Sequence, residues 1–451
     1  MADPRPSDLE PSGLLVDLYE LTMGQGYFEA GLAAEQATFS LFFRRLPPGW
    51  GYLIAAGLDD LLALLGRLRF GERDLAYLEE TRLFSPAYLD SLREWHFTGT
   101  VRALPEGTLF FPQEPVLEVT GPVAEAQLVE TIALNQIHYQ SLIAAKAARC
   151  VDAARGRRLV DFGVRRAYGV EAGLVLARSS WIAGFDATSN VLAGRELAIP
   201  VAGTMAHSFV EAFDEELEAF RAFARTFPEE TILLVDTYDT LEGVRLAATV
   251  GRELAERGSR LRGVRLDSGN LLELSRAARA ILDGAGLEDA TVFASGGLDE
   301  RDLEALLDAG APIDGFGIGS RLGTPADAPS LDMAYKLVEF AGRPTLKLSP
   351  DKATLAGRKQ VWRVPDAEGS FAFDMLGLDG EEPPLGGEPL LSEVMARGRR
   401  VLVESLDVTR ERASRQRLAL PERHRRLDAE PYEVRLSADL AALDSGLRGE
   451  R

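Results

Sequence analysis

Between about residues 155 and 325 the chain repeats one pattern: a short apolar run, often β-branched, ends in Gly, Asp, Thr or Ser and is followed by a helical stretch. The apolar runs are Leu159 to Gly163, Ala198 to Thr204, Thr231 to Thr237, Gly263 to Gly269, Ala290 to Gly297 and Ile313 to Ser320. Between them, Leu271, Leu274, Ala278, Ile281 and Leu282 recur at helical spacing, as do Leu303, Leu306 and Leu307. Continuous apolar strands alternating with amphipathic helices predict a parallel sheet covered on its faces. The spacings are uneven, which favours an irregular (β/α) barrel over a doubly wound open sheet.

The flanking regions read differently. Residues 1 to 150 mix helical patterns (Leu15 to Ala30, Gly57 to Leu68, Glu125 to Arg149) with strand-like pieces at Ala37 to Phe43 and Val116 to Val119. After Lys347 come a short strand at Gln360 to Val364, a Gly/Pro-rich linker from Gly377 to Pro389, and a polar tail. A chain of 451 residues exceeds one ordinary core. The expected organisation is an α+β domain over residues 1–130, the barrel over 131–345, and a segment over 346–451 that packs on the N-terminal domain.

Composition narrows the function. The formal charge of −20 argues against nucleic acid as a partner, because a duplex binder needs a positive footprint. Any anionic substrate must instead meet cations gathered locally at its site. No uninterrupted apolar stretch approaches the length of a membrane span, and Met1 to Arg5 lacks a charged-then-apolar leader pattern. Cys150 is the single cysteine, so intrachain disulfides are excluded and a reducing compartment, the cytoplasm, is expected. The basic run Arg410 to Arg426 is broken by acidic residues and leucines and reads as a solvated face or a helix.

Candidate chemistry gathers where strands end. His207, one of four histidines, follows the Gly203-Thr204 turn and opens a helical pattern. A lone histidine is more often a cap or a core residue, but this one has reactive neighbours in the pattern. Asp236 and Asp239 close the next strand; either can cap a turn, and Asp236 can hold the imidazole in one tautomer. Arg265-Leu266-Asp267-Ser268-Gly269 then offers a cation, a carboxylate, a hydroxyl and a glycine turn. Ser295-Gly296-Gly297 and Gly315-Phe316-Gly317-Ile318-Gly319-Ser320 are small-residue turns at the last two strand ends, suited to close approach of a phosphate. Asp161-Phe162-Gly163-Val164-Arg165-Arg166 adds an aromatic face and a fork for a carboxylate. Together these predict a phosphorylated ligand at a barrel mouth.

The ordered set of motifs resembles the nicotinate phosphoribosyltransferase family, of the type II phosphoribosyltransferases. The resemblance runs from Val16-Asp17-Leu18-Tyr19-Glu20-Leu21-Thr22-Met23 through Phe162 to Arg166, Gly203 to Ser208 and Val235 to Thr240. It continues with Arg265 to Gly269, Gly317 to Ser320 and Tyr335 to Val338. It implies transfer of the phosphoribosyl group of phosphoribosyl pyrophosphate to nicotinate, with ATP hydrolysis coupled through a phosphohistidine at His207. It further implies Mg²⁺ near Asp267, and a homodimer in which Tyr19 reaches the pyridine ring from the partner, opposite Phe162. Arg165 and Thr204 would contact nicotinate. Arg265, Asp267, Ser268, Gly297, Gly319 and Ser320 would hold the phosphoribosyl group, with Asp236 assisting His207 and Arg44 a weaker phosphate contact. Ser320 stands where the family usually has threonine, and the hydroxyl survives.

Three rival readings follow the same motifs less well. A nicotinamide-using relative needs no cation for a ring carboxylate, which Arg165 and Arg166 supply. Quinolinate phosphoribosyltransferase needs no ATP, against which the Ala206-His207-Ser208 segment speaks. A catalytically silent nucleotide-binding protein has no use for the full set of reactive residue types.

Overall fold

The computed structural model describes residues 12–347 and 354–449; the leader reading at Met1 to Arg5 falls outside them. The chain divides into two compact units. One takes the described residues through Ala144 and from Ser330 onward, and the other is Ala145–Pro329.

In the first unit, an antiparallel sheet joins the two ends of the sequence. The strand Gln36–Phe43 is buried along nearly its whole length, and it lies between Pro115–Pro122 and Met333–Phe340. Phe39 stacks on Tyr335 with ring centroids 5.0 Å apart. A second sheet carries Lys359–Pro365, Phe371–Leu378 and Val434–Leu436. Its Arg363, though buried, is fully engaged: it pairs with Asp374 at 3.0 and 2.6 Å and donates to the Leu109 carbonyl at 2.8 Å. The first part of the basic run, Arg410 to Arg417, does fall on a helix, Leu406–Ala419, in which Arg412 pairs with Glu404.

The second unit is the barrel. Its six hydrogen-bonded strands are all parallel: Arg158–Asp161, Ala187–Thr188, Ile232–Leu234, Gly263–Leu266, Thr291–Ala294 and Gly315–Ile318. From Ile232–Leu234 to Gly315–Ile318 each strand pairs with its successor, and the last pairs with the first, Gly315 opposite Arg158 and Ile318 opposite Asp161. Pairing of last with first is what separates a curled ring from a doubly wound sheet. The ring has one seam. The apolar run Ala198 to Thr204, expected as a strand, makes only a single bridge, Val201 beside Thr188. Pro200 and Gly203 flank that bridge, and proline cannot donate to a ladder. The two-residue strand Ala187–Thr188 has no period of its own and is absent from the sequence pattern.

Inside the ring, Val160, Ala187 and Phe293 pack with Phe162 and Ala202. Outside, the helices Glu216–Thr226, Thr240–Glu256 and Leu271–Gly284 lay Phe220, Val244, Ala247, Ala278 and Leu282 on the strands. Gly243 marks how tight that packing is. A Cβ there would lie 2.2 Å from the Val235 carbonyl oxygen, directly beneath the Asp236 turn. Gly243→Ala is expected to destabilise the protein by about 1–3 kcal/mol through overpacking, read by chemical denaturation. An unchanged midpoint would contradict this contact.

Candidate active site

The strand C-termini of the barrel carry the polar groups, as side chains at a barrel mouth do. Arg265 is the centre. Its strand position is forced by the ladder with Thr291–Ala294, and its guanidinium lies over the Phe162 ring, 5.3 Å from the centroid. Four neighbours take up its donors. Nη2 reaches Asp267 Oδ1 at 2.6 Å, Nε reaches Ser295 Oγ at 2.8 Å, and Nη1 reaches Thr204 Oγ1 at 3.2 Å and the Met205 carbonyl at 3.4 Å. Burial pushes the Asp267 pKa up, but hydrogen bonds from Ser295 and Arg265 outweigh it and hold the carboxyl below its usual range.

His207 is the first residue of the helix His207–Glu211, half exposed at the same mouth. Its Nε2 lies 4.0 Å from Asp267 Oδ2, and its Nδ1 is 3.1 Å from Thr237 Oγ1. The expectation that Asp236 orients this imidazole is therefore corrected. Asp236 Oδ2 accepts instead from the Asp267 backbone N–H at 3.0 Å and from Ser268 Oγ at 2.6 Å. Asp236 fixes the turn after Arg265, and Thr237, one residue on, meets the histidine. Asp239 caps the next helix through the Glu242 N–H at 2.8 Å.

Phe162 follows the first strand, and its N–H donates to the Ile318 carbonyl at 2.8 Å. Together with Phe293, Ala202, Gly203 and Thr204 it lines a cavity inside the ring. Gly315 and Gly317, read from sequence as part of a phosphate turn, serve this interior: a Cβ at Gly315 would meet the Phe293 ring at 2.8 Å, and one at Gly317 the Phe162 ring at 2.4 Å. Gly297 has open space around it and requires glycine for its φ of +74°. Gly319 and Ser320 end the last strand and begin the short helix Ser320–Gly323. Arg165 and Arg166 sit on the turn Val164–Arg166, exposed, with no ion-pair or hydrogen-bond partner for either guanidinium among the described residues.

Two expected residues lie in the other unit. Tyr19 is 44 % exposed on the helix Leu18–Glu29. Arg44 is engaged by Asp332, Nη1 to Oδ1 at 2.7 Å.

The sequence assigned no role to Thr237 and read Ser295 only as part of a small-residue phosphate turn, not as a partner of Arg265 and Asp267. Nor did it single out Asp161, fully buried beneath Phe162. Asp161 accepts from Gly163 N–H at 2.7 Å and Thr188 Oγ1 at 2.8 Å, joining the first two strand ends.

A ring of parallel strands with a cation, carboxylate and histidine over an aromatic floor is the arrangement of a barrel enzyme. Residues 14–138 match the nicotinate phosphoribosyltransferase N-terminal domain, and residues 157–360 match the nicotinate phosphoribosyltransferase family. A nicotinate phosphoribosyltransferase of Mycobacterium tuberculosis is 52 % identical over 421 residues, 93 % of this chain and 90 % of that protein. That of Bacillus subtilis is 43 % identical over 358 residues, 78 % of this chain and 73 % of its own. The crystal structure of human nicotinic acid phosphoribosyltransferase superposes with a TM-score of 0.83 at 34 % identity, covering 96 % of this chain and all of that one. The chain belongs to the nicotinate phosphoribosyltransferase family.

Asp161 yields a pH-dependent outcome. Burial pushes its pKa up to about 6 against the opposing hydrogen bonds. With a folded pKa above the unfolded one, its contribution favours folding at low pH and is lost as pH rises through about 6. Relative to Asp161→Asn, the wild type is expected to lose up to about 3 kcal/mol of stability between pH 4 and pH 7, measured by denaturant titration. A constant difference across that range would contradict the shift.

Proposed function

We propose that the protein is an ATP-coupled nicotinate phosphoribosyltransferase. It joins nicotinate to phosphoribosyl pyrophosphate, hydrolysing ATP, and releases nicotinate mononucleotide, pyrophosphate, ADP and phosphate in the supply of NAD. The observation that carries this reading is the Arg265–Asp267 pair held over the Phe162 face. It places a phosphate-binding cation and a carboxylate beside an aromatic surface for a planar ring.

Breaking the C1–pyrophosphate bond leaves positive charge on the ribose and negative charge on the leaving group. Arg265 stabilises the departing phosphates, and a pyridine nitrogen needs no strong base to attack. Arg165 offers nicotinate an unengaged guanidinium, Thr204 offers its ring carboxylate a hydroxyl, and Ser268, Gly297, Gly319 and Ser320 receive the phosphates. Among the described residues no cluster of three or more His, Cys, Asp or Glu forms a metal cage. Mg²⁺ brought in on pyrophosphate requires only one or two carboxylates, and Asp267 Oδ2, which no hydrogen bond reaches among the described residues, suits it. When bound, the ion neutralises charge on the leaving group.

Leu15, Leu18, Tyr19 and Met23 are exposed on one N-terminal segment, and Tyr168 and Val170 are exposed after the Phe162 turn. Such patches fit a homodimer in which Tyr19 of the partner subunit covers the pyridine ring. A cytoplasmic site of action accords with this chemistry; no helix among the described residues is long and apolar enough to cross a membrane.

The test is pyrophosphate release with nicotinate, nicotinamide or quinolinate, each with and without ATP. Nicotinate is the expected substrate. Arg165→Ala should raise its KM by about 30-fold or more, the loss of a charge-assisted contact worth about 2–4 kcal/mol, and leave that for phosphoribosyl pyrophosphate nearly unchanged. Equal use of nicotinamide by the wild type would overturn the substrate reading.

His207 gives a separate outcome. Incubation with γ-labelled ATP should produce an acid-labile, base-stable phosphoprotein, and His207→Ala should abolish both the label and the stimulation by ATP. Some ATP-independent synthesis should persist, since bond breaking at the ribose relies on Arg265 and Asp267. A His207→Ala protein that still couples ATP hydrolysis to product would remove His207 from this role.

A further inference from the structure

Ser295 ends the strand next to Arg265 and is 2 % exposed. Its hydroxyl accepts from Arg265 Nε at 2.8 Å and donates to Asp267 Oδ1, the same oxygen that Arg265 Nη2 reaches at 2.6 Å. Cation, carboxylate and hydroxyl thus form a closed triangle across two strands. A serine hydroxyl has one proton and two lone pairs, so donating to the carboxylate and accepting from the guanidinium fixes its orientation. The backbone holds the triangle from below. Ser295 N–H donates to the Leu266 carbonyl at 2.8 Å. The next residue, Gly296, has a φ of +103°, and a Cβ there would lie 1.9 Å from the Asp267 carbonyl oxygen.

We propose that Ser295 is a positioning residue of the phosphoribosyl site: it engages Arg265 Nε and Asp267 Oδ1 so that Arg265 Nη1 and Asp267 Oδ2 are the atoms left to the ligand. The remaining contacts of those two atoms are weak. Nη1 meets Thr204 and the Met205 carbonyl at 3.2 and 3.4 Å, and among the described residues Oδ2 meets only His207 Nε2 at 4.0 Å. An arriving phosphate displaces long bonds and leaves the short ones intact. Without the hydroxyl, Nε has no acceptor, the guanidinium can rotate away from Phe162, and Asp267 Oδ1 loses a hydrogen bond. The charged groups facing Asp267 are Arg265 two residues before it and His207 from the helix across the mouth; Asp236 reaches its backbone from the preceding strand end.

This inference rests on the phosphoribosyl reading of the site, so its test has one arm that needs no reaction. A ligand-free crystal structure of Ser295→Ala should show the Arg265 side chain displaced from Asp267; an unmoved pair overturns the proposal whatever the protein transfers. In kinetics, Ser295→Ala should raise the KM for phosphoribosyl pyrophosphate about tenfold, the loss of one hydrogen bond, with the nicotinate KM changed less than about twofold. Ser295→Thr, which keeps the hydroxyl, should restore the KM for phosphoribosyl pyrophosphate. Should the alanine variant be unstable, Ser295→Cys, a weak donor of similar size, should show the same shifts. In an Asp267→Asn background the Ser295→Ala change should cost less than it does alone, since only its bond to Arg265 Nε is then left to lose. Additive losses in that double variant, or a nicotinate KM raised as much as that for phosphoribosyl pyrophosphate, would assign Ser295 a merely structural role.

Discussion

The last strand of the barrel can close onto the first because glycine occupies its inward positions. Gly315 and Gly317 pair with Arg158 and Val160, and at both positions a side chain would collide with an aromatic ring. Phe162 and Phe293 fill the volume so vacated. The alternation is that of any strand: Phe316 and Ile318 point outward into the helical layer and are fully buried there. Everything at the mouth inherits its position from this closure. Phe162 is tied by its N–H to Ile318, and the guanidinium of Arg265 rests on the ring that the glycines admit. A single methyl at Gly317 would displace the floor of the site before it disturbed any charged group.

That dependence explains what the sequence discloses and what it hides. The six apolar runs with polar ends announce a parallel sheet, and each charged residue at those ends proves to lie near the mouth. The rhythm could not show that Gly315 and Gly317 make room for rings, because glycines that admit a ligand and glycines that admit a neighbouring side chain look alike in one dimension. Nor could it show that Asp236 grips Asp267 and Ser268 while Thr237 takes the histidine. Adjacent residues on an extended turn point apart, and which of them meets a group some 30 residues away is decided by the register of the sheet. The strand Ala187–Thr188 is too short to carry a period, and Ala198 to Thr204 has strand composition but proline at its centre. In the flanks, the pairing of Gln36–Phe43 with Met333–Phe340 joins segments whose apolar patterns are plain but whose partnership no local signal records.

The electrostatics of the mouth are local. A chain with a formal charge of −20 repels anions at long range. At the strand ends cations and carboxylates are interleaved. Arg265 is neutralised by Asp267 only through one of its edges, and Arg165 and Arg166 have no counter-ion among the described residues. Screening at physiological salt limits the reach of the acidic surface to about 8 Å, so an anion near the mouth responds chiefly to the charges gathered there, Asp236 and Asp267 among them.

The seam of the barrel has a dynamic meaning. The stretch that precedes Thr204 and His207 is fastened by two backbone hydrogen bonds, Thr188 N–H to the Pro200 carbonyl and Ala202 N–H to the Thr188 carbonyl, each 3.0 Å. No ladder joins its other edge to Ile232–Leu234 among the described residues. Opening it breaks two bonds, whereas loosening any strand from Gly263 to Ile318 breaks ladders on both sides. Amide exchange in the barrel should therefore begin at Ala202 and its neighbours, and the barrel will breathe where the Thr204 hydroxyl and the His207 imidazole stand at its mouth.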